Sequence, residues 1–256
     1  MIRTTQLERL RLWSGRGIVA AAALLAVSWW AKGRLPTPAE IRPESLPEPV
    51  QEETLREPFS FPYEGRACRV RPVASYEIAG LVVTHNDIHS FADIYHDASS
   101  VDTKDLCIVW GANLEQGDYL GVDFWSGPFT CYARWPAGSR FDLAGISNSH
   151  LIADDASVRR AIAGVRIGDQ VRLRGLLVDY QMDDWEGFWR RTSTRRDDSD
   201  CEVLFVESVE VLARATPGWY RLFGLARGLL VGLPLLWVAL FALQAHRGES
   251  LQLGRL

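Results

Sequence analysis

The sequence lacks the short motifs that announce a chemistry. It has no H-E-x-x-H pair of zinc-binding histidines and no G-x-S-x-G elbow for a serine nucleophile. Its two long apolar runs, residues 17–31 (GIVAAAALLAVSWWA) and 228–243 (GLLVGLPLLWVALFAL), contain no Asp, Glu or Lys. Pores and proton relays leave ionisable groups at membrane depth, so this absence argues against a channel or transporter made by this chain alone. The stretch between the runs lacks a basic excess. Residues 64–212 hold 24 Asp plus Glu against 15 Lys plus Arg, a net of −9, in a chain whose overall charge is −4. Phosphate backbones are held by clustered Lys and Arg, so nucleic acid is not an expected partner. No small-x-small cleavage site follows the first run, which ends in SWWAKGR; an uncleaved signal anchor is expected rather than a removed signal peptide.

What is present is a membrane layout. Crossing a hydrocarbon core of about 30 Å takes roughly 17 to 25 mostly apolar residues. Both runs are at the short end of that range, and Trp13, Trp29, Trp30, Trp219 and Tyr220 flank them where amphipathic rings meet headgroups. The expected order is an N-terminal segment (1–16), a span (17–31), a Pro/Glu-rich tether (32–63), a folded domain (64–212), an interfacial segment (213–227), a second span (228–243) and a tail (244–256). Seven of the twelve prolines fall in the tether, which favours an extended spacer. Lys and Arg near the span ends tie at six on each side, and the four arginines ahead of the first span break the tie. This places both termini in the cytoplasm of a bacterial inner-membrane protein and the domain in the periplasm. The bilayer is one partner; a membrane protein or a second copy is another, with Gly228 and Gly232 as a helix-packing pair.

The domain reads mainly as strands. Residues 76–84 (YEIAGLVVT), 106–110 (LCIVW) and 129–135 (FTCYARW) are followed by a short helix over 156–164, capped by Asp154 or Asp155. Residues 170–180 (QVRLRGLLVDY) and 202–212 (EVLFVESVEVL) are further strands. Val171 and Leu173 should face inward and Arg172 and Arg174 outward, with an irregularity at Gly175. Three strands, a helix and two strands, with IGDQVRLRG (167–175) entering the fourth, resemble the OB-fold. The expectation is a mainly β domain with one short helix, an OB-like five-stranded Greek-key barrel flanked by two transmembrane helices. WGAN (110–113), SNSHL (147–151) and TSTR (192–195) with Cys201-Glu202 together resemble an uncharacterised group of bacterial membrane-anchored proteins. That resemblance implies no activity.

Several candidate sites follow. His85, His89, Asp93 and His96 could ligate a divalent metal, since imidazole with carboxylate suits zinc; no other cofactor is expected. Packed histidines in an aromatic-bearing loop explain the same residues. Ser147, His150 and Asp142 carry the residue types of a hydrolytic triad, or simply of a polar turn. Arg190, Arg191, Arg195 and Arg196 form the one basic cluster and could hold an anion, although Asp197, Asp198 and Asp200 follow. Trp125, Trp185 and Trp189 lie in expected loops, as core filling or as a partner surface. Four cysteines (68, 107, 131, 201) allow three pairings. The OB resemblance, in which third and fifth strands adjoin, points to Cys131 with Cys201. The leading functional expectation is a non-enzymatic, membrane-anchored binding or assembly module that recognises a protein or glycan. The alternatives are a metal-assisted hydrolase at the His85–His96 loop and an envelope sensor of an anionic ligand.

Overall fold

The computed structural model describes residues 4–88, 100–127, 130–196 and 201–252, with side chains described between Gln6 and His246. In chain order the elements are α1 (Thr4–Ala31), β1 (Val50–Glu53), β2 (Phe59–Tyr63), β3 (Arg66–Asn86), β4 (Lys104–Val109), α2 (Ala112–Glu115), β5 (Asp123–Ser126), β6 (Cys131–Arg134), β7 (Ile146–Ile152), α3 (Ala156–Ala163), β8 (Gln170–Met182), β9 (Glu202–Ala213) and α4 (Pro217–Gln252). They divide into two compact units, Arg34–Ala215 and the pair of terminal segments Met1–Gly33 with Thr216–Leu256.

The terminal unit pairs α1 with α4. Gln6–Ala31 and Pro217–His246 are long and apolar enough to cross a membrane, and only 11% and 6% of their most apolar windows are buried within the chain. A core helix of a soluble protein would be mostly buried, so these are candidate spans. On α1 the buried residues Leu7, Ser14, Ala21 and Ser28 recur every seven positions, and this stripe of mostly small side chains lets the helices approach closely. The tightest glycine approach is at Gly17, where a Cβ would come within 3.0 Å of Leu233. Gly228 and Gly232 have open space around them within the chain.

The second unit is built on β3. It pairs antiparallel with β1, β2, β4 and β8, β4 continues to β7, and β9 lies between β7 and β8, parallel to the former and antiparallel to the latter. Leu106, Ile108, Leu151, Leu173, Leu204 and Val206 fill one core cluster between these strands, together with Ile162 from α3. Asp155 caps α3, accepting from the backbone N–H of Ser157 at 2.6 Å and Val158 at 3.1 Å. Buried Lys104 serves the other end, donating to the carbonyl oxygens of Ala163 and Val165. Val171 and Leu173 are buried, while Arg172 and Arg174 reach outward to Glu77. The register shifts at Gly175, where a Cβ would collide with the Phe205 carbonyl at 1.9 Å; only glycine permits that approach.

Three expectations change. Residues 34–63 are folded against the domain rather than held away as a spacer. β1 and β2 pair with β3, Leu35, Ile41 and Leu46 pack on an apolar cluster, and Gln170 bonds both Arg42 N and Glu40 O. The prolines punctuate this stretch, but its apolar residues find a surface to cover. The 129–135 run gives β6, which pairs with β5 in a separate two-stranded sheet. The strand beside β4 is β7, whose Ser-Asn-Ser-His sequence suggested a turn. The domain also carries a second, four-residue helix, α2.

Candidate functional site

Strand alternation builds the site. On β4 and β7, Leu106, Ile108 and Leu151 enter the core, so Asp105, Cys107, Asn148 and His150 emerge on the opposite face. The register sets Asp105 directly across from His150, and Cys107 across from Asn148. Because β9 runs parallel to β7 with Ser149 beside Glu202, the preceding step brings Cys201 next to Asn148.

Three polar contacts define the cluster. Asp105 Oδ1 and His150 Nδ1 are 2.7 Å apart, with both side chains essentially inaccessible to solvent. Asn148 Nδ2 donates to Cys201 Sγ at 3.2 Å, and Thr130 Oγ1 lies 3.9 Å from that sulfur. Asp105 occupies Nδ1, which leaves Nε2 without a hydrogen-bond partner, and the Cys201 thiol and the imidazole influence each other's titration without a formed hydrogen bond between them. Nucleophile–base contacts are often loose in unliganded sites and tighten when substrate binds. Cys201 alone of the three is partly open to solvent.

The electrostatics match the geometry. Burial disfavours the imidazolium, yet the hydrogen bond to Asp105, the Cys201 thiol and the Asp105 charge outweigh it, raising the His150 pKa to about 9; Arg190 opposes this weakly. Burial also disfavours the Cys201 thiolate. Its interactions with His150, Asn148 and Thr130 prevail and hold the thiol below its ordinary range. Arg190 is held by backbone pairing with Tyr180, and its charge is felt by Asp102, Tyr180, Asp105 and Cys201. A thiol, an imidazole and a carboxylate in series are the parts of an activated nucleophile.

The expected site residues distribute differently. The bridge joins Cys107 to Cys131, Cα atoms 6.2 Å apart, and not Cys131 to Cys201. The reason is that β6 is not a strand of the main sheet; it belongs to a hairpin that seats Cys131 over the Cys107 face of β4. Ser147 points to the other side of β7, donating to Glu202, and Asp142 caps Ala144 N. The Ser147–His150–Asp142 triad therefore does not assemble; Asp105 takes the carboxylate position. His85 ends β3, whereas His89, Asp93 and His96 fall outside the described residues. Among the described residues no group of three or more His, Cys, Asp or Glu side chains is arranged to hold a metal.

The aromatic and basic residues occupy separate places. Trp125 stacks on Tyr132 in the β5–β6 hairpin, with centroids 5.3 Å apart. Trp185 packs between Tyr180 and Phe188. Trp189 lies under the Arg71 guanidinium at 3.7 Å. Arg190 faces inward with its bridge partner Tyr180, Arg191 lies on the opposite face beside Trp189, Arg195 is tied by its backbone to Ser193, and Arg196 binds Glu48 and the Pro49 carbonyl. Sequence reasoning missed Asp105 and misassigned Cys201. The available signal was a charged Lys-Asp pair opening an otherwise apolar strand. Compared with protein-family models, curated proteins and solved structures, the chain matches none.

Proposed function

We propose that this chain is a membrane-anchored thiol enzyme for acyl transfer or hydrolysis, with Cys201 as nucleophile, His150 as acid–base and Asp105 as the group orienting His150. The observation that carries the reading is the Asp105–His150–Cys201 series, buried at the carboxylate end and open at the thiol. The Cys201 thiolate attacks an ester or amide carbonyl, and the leaving group departs with the proton held on His150. Neutral His150 then activates water or an amine to release the acyl group from the thioester. Asn148 supplies a hydrogen-bond donor beside the sulfur, where an oxyanion would develop, and the Arg190 charge adds positive potential to the site.

The scaffold in this reading is OB-like. Its support is the pairing series β3–β4–β7–β9–β8, which returns to β3, with α3 between the third and fourth of these strands. The Cys107–Cys131 bridge favours an oxidising compartment and hence a periplasmic domain with cytoplasmic termini. A binding or assembly role is the second reading. It is favoured by the exposed Trp125–Tyr132 stack, which offers a partner protein or glycan an aromatic face.

The test is acylation. Full-length protein in detergent, incubated with p-nitrophenyl acetate, should carry an acetyl group on Cys201 by peptide mass spectrometry, labile to hydroxylamine and absent from Cys201→Ala and His150→Ala. An unmodified Cys201 in the parent protein removes the enzyme reading and leaves the binding one.

A further inference from the structure

Many arginines of the domain are neutralised where they stand. Arg56, Arg66, Arg134, Arg172, Arg174 and Arg214, for example, each meet a carboxylate within 3.2 Å. That is expected where acids outnumber bases by nine. Arg69, Arg71 and Arg191 have no carboxylate partner among the described residues, and the three converge on one surface.

The strand register brings them together. β3 and β8 pair Arg71 with Asp179 and Arg69 with Gln181. The Tyr180–Arg190 bridge adds a third antiparallel line of chain, which sets Arg191 beside Asp179 and Trp189 beside Gln181. Alternation then puts all six side chains on one face, as an Arg71–Asp179–Arg191 row and an Arg69–Gln181–Trp189 row. The one acid, Asp179, is already engaged, accepting from Thr192 N at 3.0 Å. Arg69 touches Gln181 Oε1 at 3.3 Å, and Arg71 rests on the Trp189 ring, which fixes its direction. Two depressions meet at Arg71 and Trp189. The one beside Arg191 also has Thr192 and Thr194 in its wall; the other runs toward Pro58 and Phe59.

We propose that this face is a docking surface for an extended acidic peptide that carries an apolar residue. Neighbouring strands are about 4.8 Å apart, so Arg71 and Arg191 stand about 10 Å apart across Asp179. An extended chain rises about 3.3 Å per residue, so two carboxylates three residues apart match that separation. An apolar side chain beyond them meets the Pro58–Phe59 end. Arginine suits carboxylates because its fork donates two parallel hydrogen bonds. The surface is independent of the Cys201 chemistry: Trp189 and Arg191 lie on the outer face, opposite to Arg190, which faces inward with Tyr180.

The test uses the full-length protein in neutral detergent and a fluorescein-labelled peptide, Leu-Ser-Glu-Gly-Ser-Glu-Gly, read by anisotropy. Saturable binding is expected, weakened about tenfold by each of Arg71→Gln and Arg191→Gln. It should disappear when both peptide glutamates are glutamine and weaken steeply with added salt. Unchanged thermal melting of the variants, whose side chains are exposed, separates lost docking from lost folding. Overturning results are equal binding by parent and double variant, binding of the glutamine peptide, no binding at all, or capture of a sulfated heparin fragment in place of the peptide. Acetylation of Cys201 is read separately, so failure here leaves that reading intact, and failure there leaves this one.

Discussion

Cys68 and Cys201 are the two thiols outside the disulfide, and they sit in opposite environments within one domain. Cys68 is fully buried in a cluster with Phe61, Val70, Tyr180 and Met182. Burial first, and then the Asp102 charge, push its pKa up to about 12, with Arg66 pulling weakly the other way. Cys201 is held below the ordinary range although burial works against its thiolate too. The difference is in the neighbours. An apolar wall with a nearby carboxylate silences a thiol, whereas imidazole, amide and hydroxyl groups aimed at the sulfur activate one.

Alkylation exposes this contrast most strongly. With iodoacetamide at neutral pH, Cys201 should react about 10³-fold faster or more than Cys68 in the folded protein, because both thiolate fraction and access favour it. Site-resolved mass spectrometry reads the ratio, and comparable rates would break the comparison. His150→Ala removes the main activating partner. It should slow Cys201 alkylation at pH 7 by about 10- to 100-fold while leaving Cys68 unchanged. A variant that labels at the parent rate would assign the activation to something other than the imidazole.

Stability sharpens the comparison in the other direction. Cys68→Ser buries a hydroxyl in an apolar cluster and should cost about 1–3 kcal/mol in urea unfolding. Cys201→Ser, already among polar partners, should stay within about 1 kcal/mol of the parent. Equal costs would mean that the two environments differ less than their contacts imply. The smallest expected effect is in the pH dependence of folding. His150 has its pKa raised from 6.5 to about 9, so the cation stabilises the fold fully below pH 6.5, and that contribution fades as pH rises through about 9. A His150→Gln variant should flatten the parent's decline in stability over that window; the same slope in both would place the titration elsewhere.

The sequence pattern was most legible where one principle governed. Clean alternation at 170–174, the Asp155 cap and the apolar C-terminal run predicted β8, α3 and the core of α4. It was least legible at the site, and for a physical reason. β7 reads Ser-Asn-Ser-His because one of its faces joins Ser147 to both Ser149 and Glu202 while the other sets Asn148 on Cys201 and His150 on Asp105. A strand polar on both faces has no hydrophobic period, so local residues suggested a turn. Losing β7 promoted β6 into its place and with it the wrong cysteine pair. Sites are where local rules give way to chemistry. Asp105 was hidden in the same way, since its partner is 45 residues away along the chain and one strand away in space.

The central claim is that Cys201 is an activated thiolate paired with a charged His150. The direct measurement is the pH profile of Cys201 carboxamidomethylation in the intact, detergent-solubilised protein, beside the His150→Ala variant. A midpoint clearly below the ordinary cysteine value of about 8.5, moving upward in the variant, is the predicted result. A midpoint at or above that value in the parent, indifferent to His150, would contradict the account.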